Sequence, residues 1–383
     1  MSSRLPVAIL MAVAAVTAAA AQGTPPTSEL QRAIDSLSTF DYAARTAATR
    51  ILRRTAADVV VPALIEAVRR HPDEFVRYRA LVVLTSFDDG GTPALMWTLL
   101  KDRNDRVREV AYRWFERKPD PALAPSLLSA LNTEASEFVR PALVRAVAAL
   151  SGNDVTERAL IAEIGRGFDF FRSAAINALG DYRAAYAVEA IGAVATADGP
   201  LQDDAVLALG RIGDRRALVT LSSVTSTAPE VAPSLQAAQC MLGDTCTPRI
   251  EWLVTTARSP LVRPETARAA VAALGAIAQR DPAARAALLA LAQGAPARLT
   301  HEVALGLSGV ALWEPAGMLT WLAAVADDER ARAMELLREG FESLEEDFAE
   351  EQFFAAARAA YWGEAEGSSM RTVVATMIEK LEF

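Results

Sequence analysis

The side chains best placed to do chemistry here are two histidines, two cysteines, a recurring arginine and a scattered tryptophan. His71 and His301 are the only histidines and stand 230 residues apart. An imidazole-rich metal site needs three or four ligands on one ion, so this pair cannot build one, and a carboxylate-only site would need a cluster of ligands. Cys240 and Cys246, the only cysteines, flank Gly243-Asp244. In an oxidising compartment they make a short local disulfide; the alternative is two small buried hydrophobes. No nucleophile elbow, glycine-rich phosphate loop or zinc-spaced Cys/His cluster occurs. We therefore expect no catalytic residues, no metal and no cofactor.

Arg77, Arg108, Arg140 and Arg172 each close a tetrapeptide of acid, variable residue, apolar residue and arginine: Glu74-Phe75-Val76-Arg77, Asp105-Arg106-Val107-Arg108, Glu137-Phe138-Val139-Arg140 and Asp169-Phe170-Phe171-Arg172. Successive arginines are 31, 32 and 32 residues apart. They invite reading as an anion ladder. The acid three residues earlier favours a structural role instead, because opposite charges at i,i+3 meet on a helix and arginine stems cover apolar surface between repeats. Trp97, Trp252 and Trp321 each fall early in a helix, two residues after an aliphatic. Comparable positions in other repeats hold Glu66, Pro125 and Thr220. A slot that accepts such residues reads as exposed, and exposed indoles anchor peptides and glycans. Core packing is the competing reading. The acidic run from Glu342 to Glu351 reads as a solvated helix face, without the spacing of an EF-hand.

What must position these residues is a repeat of about thirty residues, the mark of a solenoid. Each copy starts with an acid able to cap a helix and favoured by its dipole. Apolar residues follow at helical spacing, as in Ala205, Val206, Leu209 and Ile212. A Gly-Asp break comes next, at Gly180-Asp181, Gly213-Asp214 and Gly243-Asp244: glycine ends one helix and Asp181, Asp214 or Asp244 caps the next. A second helix closes the unit. Such pairs cannot bury both faces alone and must stack. The pattern predicts an all-α fold, an α-solenoid of about nine helix pairs between Asp41 and Asp328. A helix from Ser28, with a Ser28/Gln31 capping box, precedes them. Beyond Asp328 the period fails, and residues 329–383 read as a C-terminal cap of two or three helices.

Ala208-Leu209-Gly210-Arg211-Ile212-Gly213-Asp214-Arg215-Arg216-Ala217-Leu218 resembles the HEAT-like repeat of the phycobilisome-lyase type, and Ala178-Leu179-Gly180-Asp181-Tyr182-Arg183-Ala184-Ala185 is a second copy. The resemblance covers about residues 40–330. It implies architecture, with second helices lining the concave side, and is almost silent on activity. Deoxyhypusine hydroxylases of this class need four His-Glu pairs, and only His301-Glu302 is present. HEAT-like DNA glycosylases need a basic groove, whereas the net charge is −9. Phycobilin lyases work in the cytoplasm.

The compartment follows from the start of the chain. Arg4 precedes an apolar run from Leu5 to Ala21 that ends in Ala19-Ala20-Ala21, the form of a cleaved signal peptide over residues 1–21, with an uncleaved anchor as the alternative. Residues 22–28 read as a flexible linker and 29–328 as the solenoid. The expected protein is periplasmic or secreted and leaves the membrane after cleavage. Its acidity argues against nucleic acid and anionic lipid. The expected function is a non-catalytic scaffold holding a protein or extended peptide on its concave face; the alternatives are a structural module of a cell-envelope assembly and, third, a lyase-like or other enzyme on the same scaffold.

Overall fold

The computed structural model describes residues 27–380 except Asp88, Glu137, Ser151, Thr227, Asp244, 295–296 and 344–347. The signal segment, most of the linker and Asp244 therefore lie outside the described residues. Among those described there is no strand. Helix α1 (Thr27–Asp35) precedes nine pairs: α2 (Tyr42–Arg54) with α3 (Ala57–Arg70), α4 (Glu74–Leu84) with α5 (Thr92–Leu99), α6 (Asp105–Arg117) with α7 (Ala124–Thr133), α8 (Arg140–Ala148) with α9 (Asp154–Ile164), α10 (Asp169–Asp181) with α11 (Val188–Thr196), α12 (Gln202–Ile212) with α13 (Ala217–Ser222), α14 (Val231–Met241) with α15 (Cys246–Arg258), α16 (Pro264–Ala278) with α17 (Pro282–Gly294), and α18 (Thr300–Trp313) with α19 (Pro315–Ala324). Helices α20 (Asp327–Ser343), α21 (Phe348–Gly363) and α22 (Ser369–Lys380) follow. The protein is an α-solenoid of helix pairs with unlike ends.

The caps differ in detail from the sequence reading. The residue before the motif acid does the capping in two repeats: Asp73 accepts from Phe75 N at 2.8 Å, and Asn104 accepts from Arg106 N at 3.0 Å. A side chain one residue outside the helix reaches the free N–H groups, whereas one in the first turn points back along the axis. Helix α1 begins at Thr27, and Gln31 donates forward to Asp35 at 2.8 Å instead of back to Ser28. Gly213 and Gly243 end their helices at φ +79° and +81°, as a left-handed terminator must. Gly180 is still helical and has another task.

That task is close packing between first helices. A Cβ on Gly180 would lie 2.9 Å from Ala208 Cα, and one on Gly210 only 2.5 Å from Ala238 Cα. Gly275 faces the Cα of Gly306 in the same way, at 3.3 Å. In the second-helix layer, Gly192 meets only a side-chain tip, Thr220 Cγ2 at 3.3 Å. Side chains at the ends of first helices also reach past their neighbours. Tyr182, just after α10, donates to Glu116 on α6 at 3.0 Å, and Arg280, beyond α16, donates to the Arg211 carbonyl on α12 at 3.1 Å. Contacts that skip a repeat require the C-terminal ends of the first helices to lie inside the curve. The second helices form the outer layer, which corrects the expectation that they line the concave side.

The curve brings the two ends of the chain together. Arg358 on α21 donates to the Ser86 carbonyl after α4 at 2.8 Å, and Arg53 of α2 stacks 4.3 Å above the ring of Phe354. The apolar core runs in two stretches, Leu30 to Leu242 and Ala237 to Met377, which meet at α14. Cys240 and Cys246 are joined by a disulfide at this junction, tying the end of α14 to the start of α15 with Cα atoms 4.5 Å apart.

Candidate functional site

The arginine ladder is built between repeats. Arg77 Nε donates to the Val68 carbonyl at 2.8 Å, capping the end of α3, and its fork pairs with Asp102 beyond α5. Arg108 makes a two-pronged pair with Glu134 at the end of α7, at 2.9 and 2.7 Å. Arg140 caps Leu131 of α7 at 2.9 Å and pairs with Glu163 of α9. Arg172 caps Ile164 at 2.9 Å and pairs with its i−3 acid, Asp169, at 2.9 Å. Arg77 and Arg108 instead take a carboxylate at the end of the second helix of their own pair, so the expected i,i+3 pairing is corrected for these two; Glu137, the acid three residues before Arg140, lies outside the described residues. A guanidinium fork can cap free carbonyls and hold a carboxylate at once, which suits the gap between two stacked repeats. Asp181 is likewise an inter-repeat tie, to Arg145 at 2.6 Å and Arg211 at 3.2 Å. Asp214 accepts from Arg216 N at 2.9 Å.

The three tryptophans stay apart on the outer layer. Trp252 on α15 is 39% exposed, and Trp321 on α19 packs half-buried against the second core stretch. Trp97, also 39% exposed, has a setting of its own: its ring stands edge-on to Phe115 at 6.3 Å and borders a cleft of about 670 Å³ between α5 and α7. Large side chains explain the opening. Where later repeats meet through glycine and alanine, α4 meets α6 through buried Tyr78, over which Arg106 of α6 stacks at 5.5 Å, and a ring at a helix contact holds the axes apart.

Tyr112 and Arg108 rise from α6 into this cleft, Lys101 lies beside Trp97, and Ser129 and Glu134 come from α7. Burial, followed by the nearby Glu134 charge, pushes the Tyr112 hydroxyl up to about 12. Burial alone would raise Glu134, but the hydrogen bonds from Arg108 and Ser136 N override it and hold the carboxyl below its ordinary value. Tyr112 thus keeps its proton and Glu134 its charge. The arrangement offers an apolar wall, a hydroxyl donor and fixed charges, which are binding groups; neither titrating group is tuned toward neutral pH for proton transfer. No group of three or more His, Cys, Asp or Glu converges on a metal position among the described residues. Sequence periodicity marked Trp97 as exposed, but Tyr112 and Glu134 carried no signal, because the same residue types serve as ordinary core and cap elsewhere.

No family model matches the chain, and no curated protein matches it. Solved structures do. The complex of CpcE and CpcF of phycocyanin lyase from Nostoc sp. PCC7120 is similar at 22% identity over 67% of this chain and 98% of that one, with a TM-score of 0.42. Importin beta is similar at 13% identity over 92% of this chain, TM-score 0.41. Kap95p, solved with RanGDP, is similar at 13% identity over 93%, TM-score 0.43. The chain spans 55% and 60% of the length of the latter two.

Proposed function

We propose that the protein is an exported, non-catalytic scaffold that holds a protein or extended peptide on its outer layer, with the Trp97 cleft as the anchor point. The observation that carries this reading is the cleft itself. Its volume of about 670 Å³ matches one or two side chains of a partner. An indole at the edge and a buried hydroxyl with fixed charges below form the usual composition of an interaction hot spot. Export is supported by the apolar run of residues 5–21 behind Arg4. No single helix among the described residues is long and apolar enough to cross a membrane.

The test uses Trp97→Ala with Trp252→Ala as the control, in full-length protein expressed from its own start codon. Cell fractionation should place the protein in the envelope or medium, and crosslinking in envelope extract should recover a partner that Trp97→Ala loses and Trp252→Ala keeps. Truncating a hot-spot indole costs about 2 kcal/mol or more, a roughly thirtyfold loss of affinity. Equal partner recovery by both variants refutes the anchor role; a cytosolic protein refutes export.

A further inference from the structure

One turn in the repeat carries a residue that its backbone does not favour. The turns after α12 and α14 are made by Gly213 and Gly243 in the left-handed region, which glycine enters freely. The corresponding position after α10 holds Arg183, at φ 52°, the one non-glycine residue with positive φ among those described. Backbone bonds fix it there: Ala184 N donates to the Leu179 carbonyl at 3.0 Å, and Ala185 N to the Arg183 carbonyl at 2.8 Å. A Cβ in this conformation is strained. Helix termination asks for glycine here, so the side chain is what the position retains.

Arg183 belongs to a group of guanidiniums on the inside of the curve. Arg145 lies between Glu116 and Asp181, both at 2.6 Å, and Arg211 shares Asp181 and donates to Asn177. These two arginines and two carboxylates balance. Arg280, after α16, reaches the same place and donates to the Arg211 carbonyl. Burial comes first, with the neighbouring Arg183 charge next, in pulling the Arg280 guanidinium below its ordinary value; Arg211 adds to this and Asp181 opposes it. Neither Arg183 nor Arg280 forms an ion pair with a described carboxylate, and both reach solvent. Two unmatched cations converge in a chain whose net charge is −9.

We propose that Arg183, Arg211 and Arg280 form an oxyanion site on the inner edge of the solenoid, taking a phosphate or carboxylate group between the forks of Arg183 and Arg280. Guanidinium forks match such oxygens two at a time, and a bound anion removes the repulsion among the three cations. The site lies on a different layer from the Trp97 cleft and does not depend on the reading given for it.

Thermal unfolding of the full chain separates this from a structural role. Inorganic phosphate and a tetraglutamate peptide are titrated in separate arms, each against sodium chloride at equal ionic strength. Wild type should melt higher in phosphate, in the peptide, or in both, and the arm that saturates at lower concentration names the source of the oxyanion. Arg280→Ala and Arg183→Gly should each weaken the apparent affinity about tenfold or more. Arg183→Gly should also melt higher than wild type without anion, because it restores the glycine of the sister turns. The inference fails if neither anion raises the melting temperature above chloride, or if both variants respond as wild type does. It fails equally if Arg183→Gly melts lower without anion, since Arg183 would then be a structural tie.

Discussion

The contact between α12 and α14 gives the sharpest quantitative test of the fold. In Gly210→Ala the new Cβ would sit 2.5 Å from Ala238 Cα, 2.8 Å from Met241 Cε and 3.0 Å from Ala238 Cβ. Carbon atoms attract at about 3.5–4.0 Å, so relief requires a movement of about 1 Å. The Met241 tip can swing aside, but the Ala238 backbone moves only with all of α14. That helix is gripped by α16 on its other side, and the curve is closed by α21 against α4. Overpacking costs about 1–3 kcal/mol, and this site belongs at the upper end because a closed stack relaxes poorly. Replacing a mid-helix glycine returns about 1 kcal/mol of propensity. We expect a net loss of about 2 kcal/mol, read as a lower urea midpoint at unchanged slope. Gly309→Ala is the control: it is mid-helix in α18 with nothing within 4 Å of the new Cβ, and should gain roughly 0.5–1 kcal/mol. A Gly210→Ala protein as stable as wild type would refute the close approach of the first helices, and with it the assignment of the inner layer.

Two further outcomes follow from the ties between helices. Glu134 has a folded value below its ordinary 4.5, so its contribution to stability is complete above about pH 4.5 and lost as pH falls through the lower folded value. Glu134→Gln should remove that part of the acid-dependent fall in melting temperature, and an unchanged pH profile would contradict the pairing with Arg108. Arg358→Ala removes the donor to Ser86 and the cation from the Phe87 ring, which it overlies at 5.4 Å. Amide exchange should then quicken in α2, α4 and α21 together while α12 to α16 keep their protection; quickening in α21 alone would mean that the ends do not support each other.

How much was legible in the sequence depends on the range of the interaction. The period, the nine pairs and the unlike ends could be read directly, because helix spacing, glycine termination and the need to stack are local rules repeated many times. The same rules placed Arg77, Arg108, Arg140 and Arg172 as stacking residues. They missed the carboxylate partners: the acid three residues earlier was in view, whereas Asp102, Glu134 and Glu163 are 23 to 26 residues away and meet the arginines only when the two helices of a pair fold together. Exposure of Trp97 could be inferred from what its slot tolerates elsewhere. Its cleft could not, since it is lined by residues of α5, α6 and α7 that meet only in the folded chain.

What the sequence determined by itself was the unit and its manner of stacking. The direction of curvature was decided only in three dimensions, because it depends on which layer has the smaller side chains at contact, summed over every pair. Gly180, Gly210 and Gly275 let the first helices approach, so these helices turned inward and carried the tryptophans to the outside. The same curvature gathered Arg183, Arg211 and Arg280 from turns up to 97 residues apart, and brought Arg358 to Ser86 across 272 residues. A local pattern cannot encode such meetings, since each depends on small rotations accumulated along the whole stack.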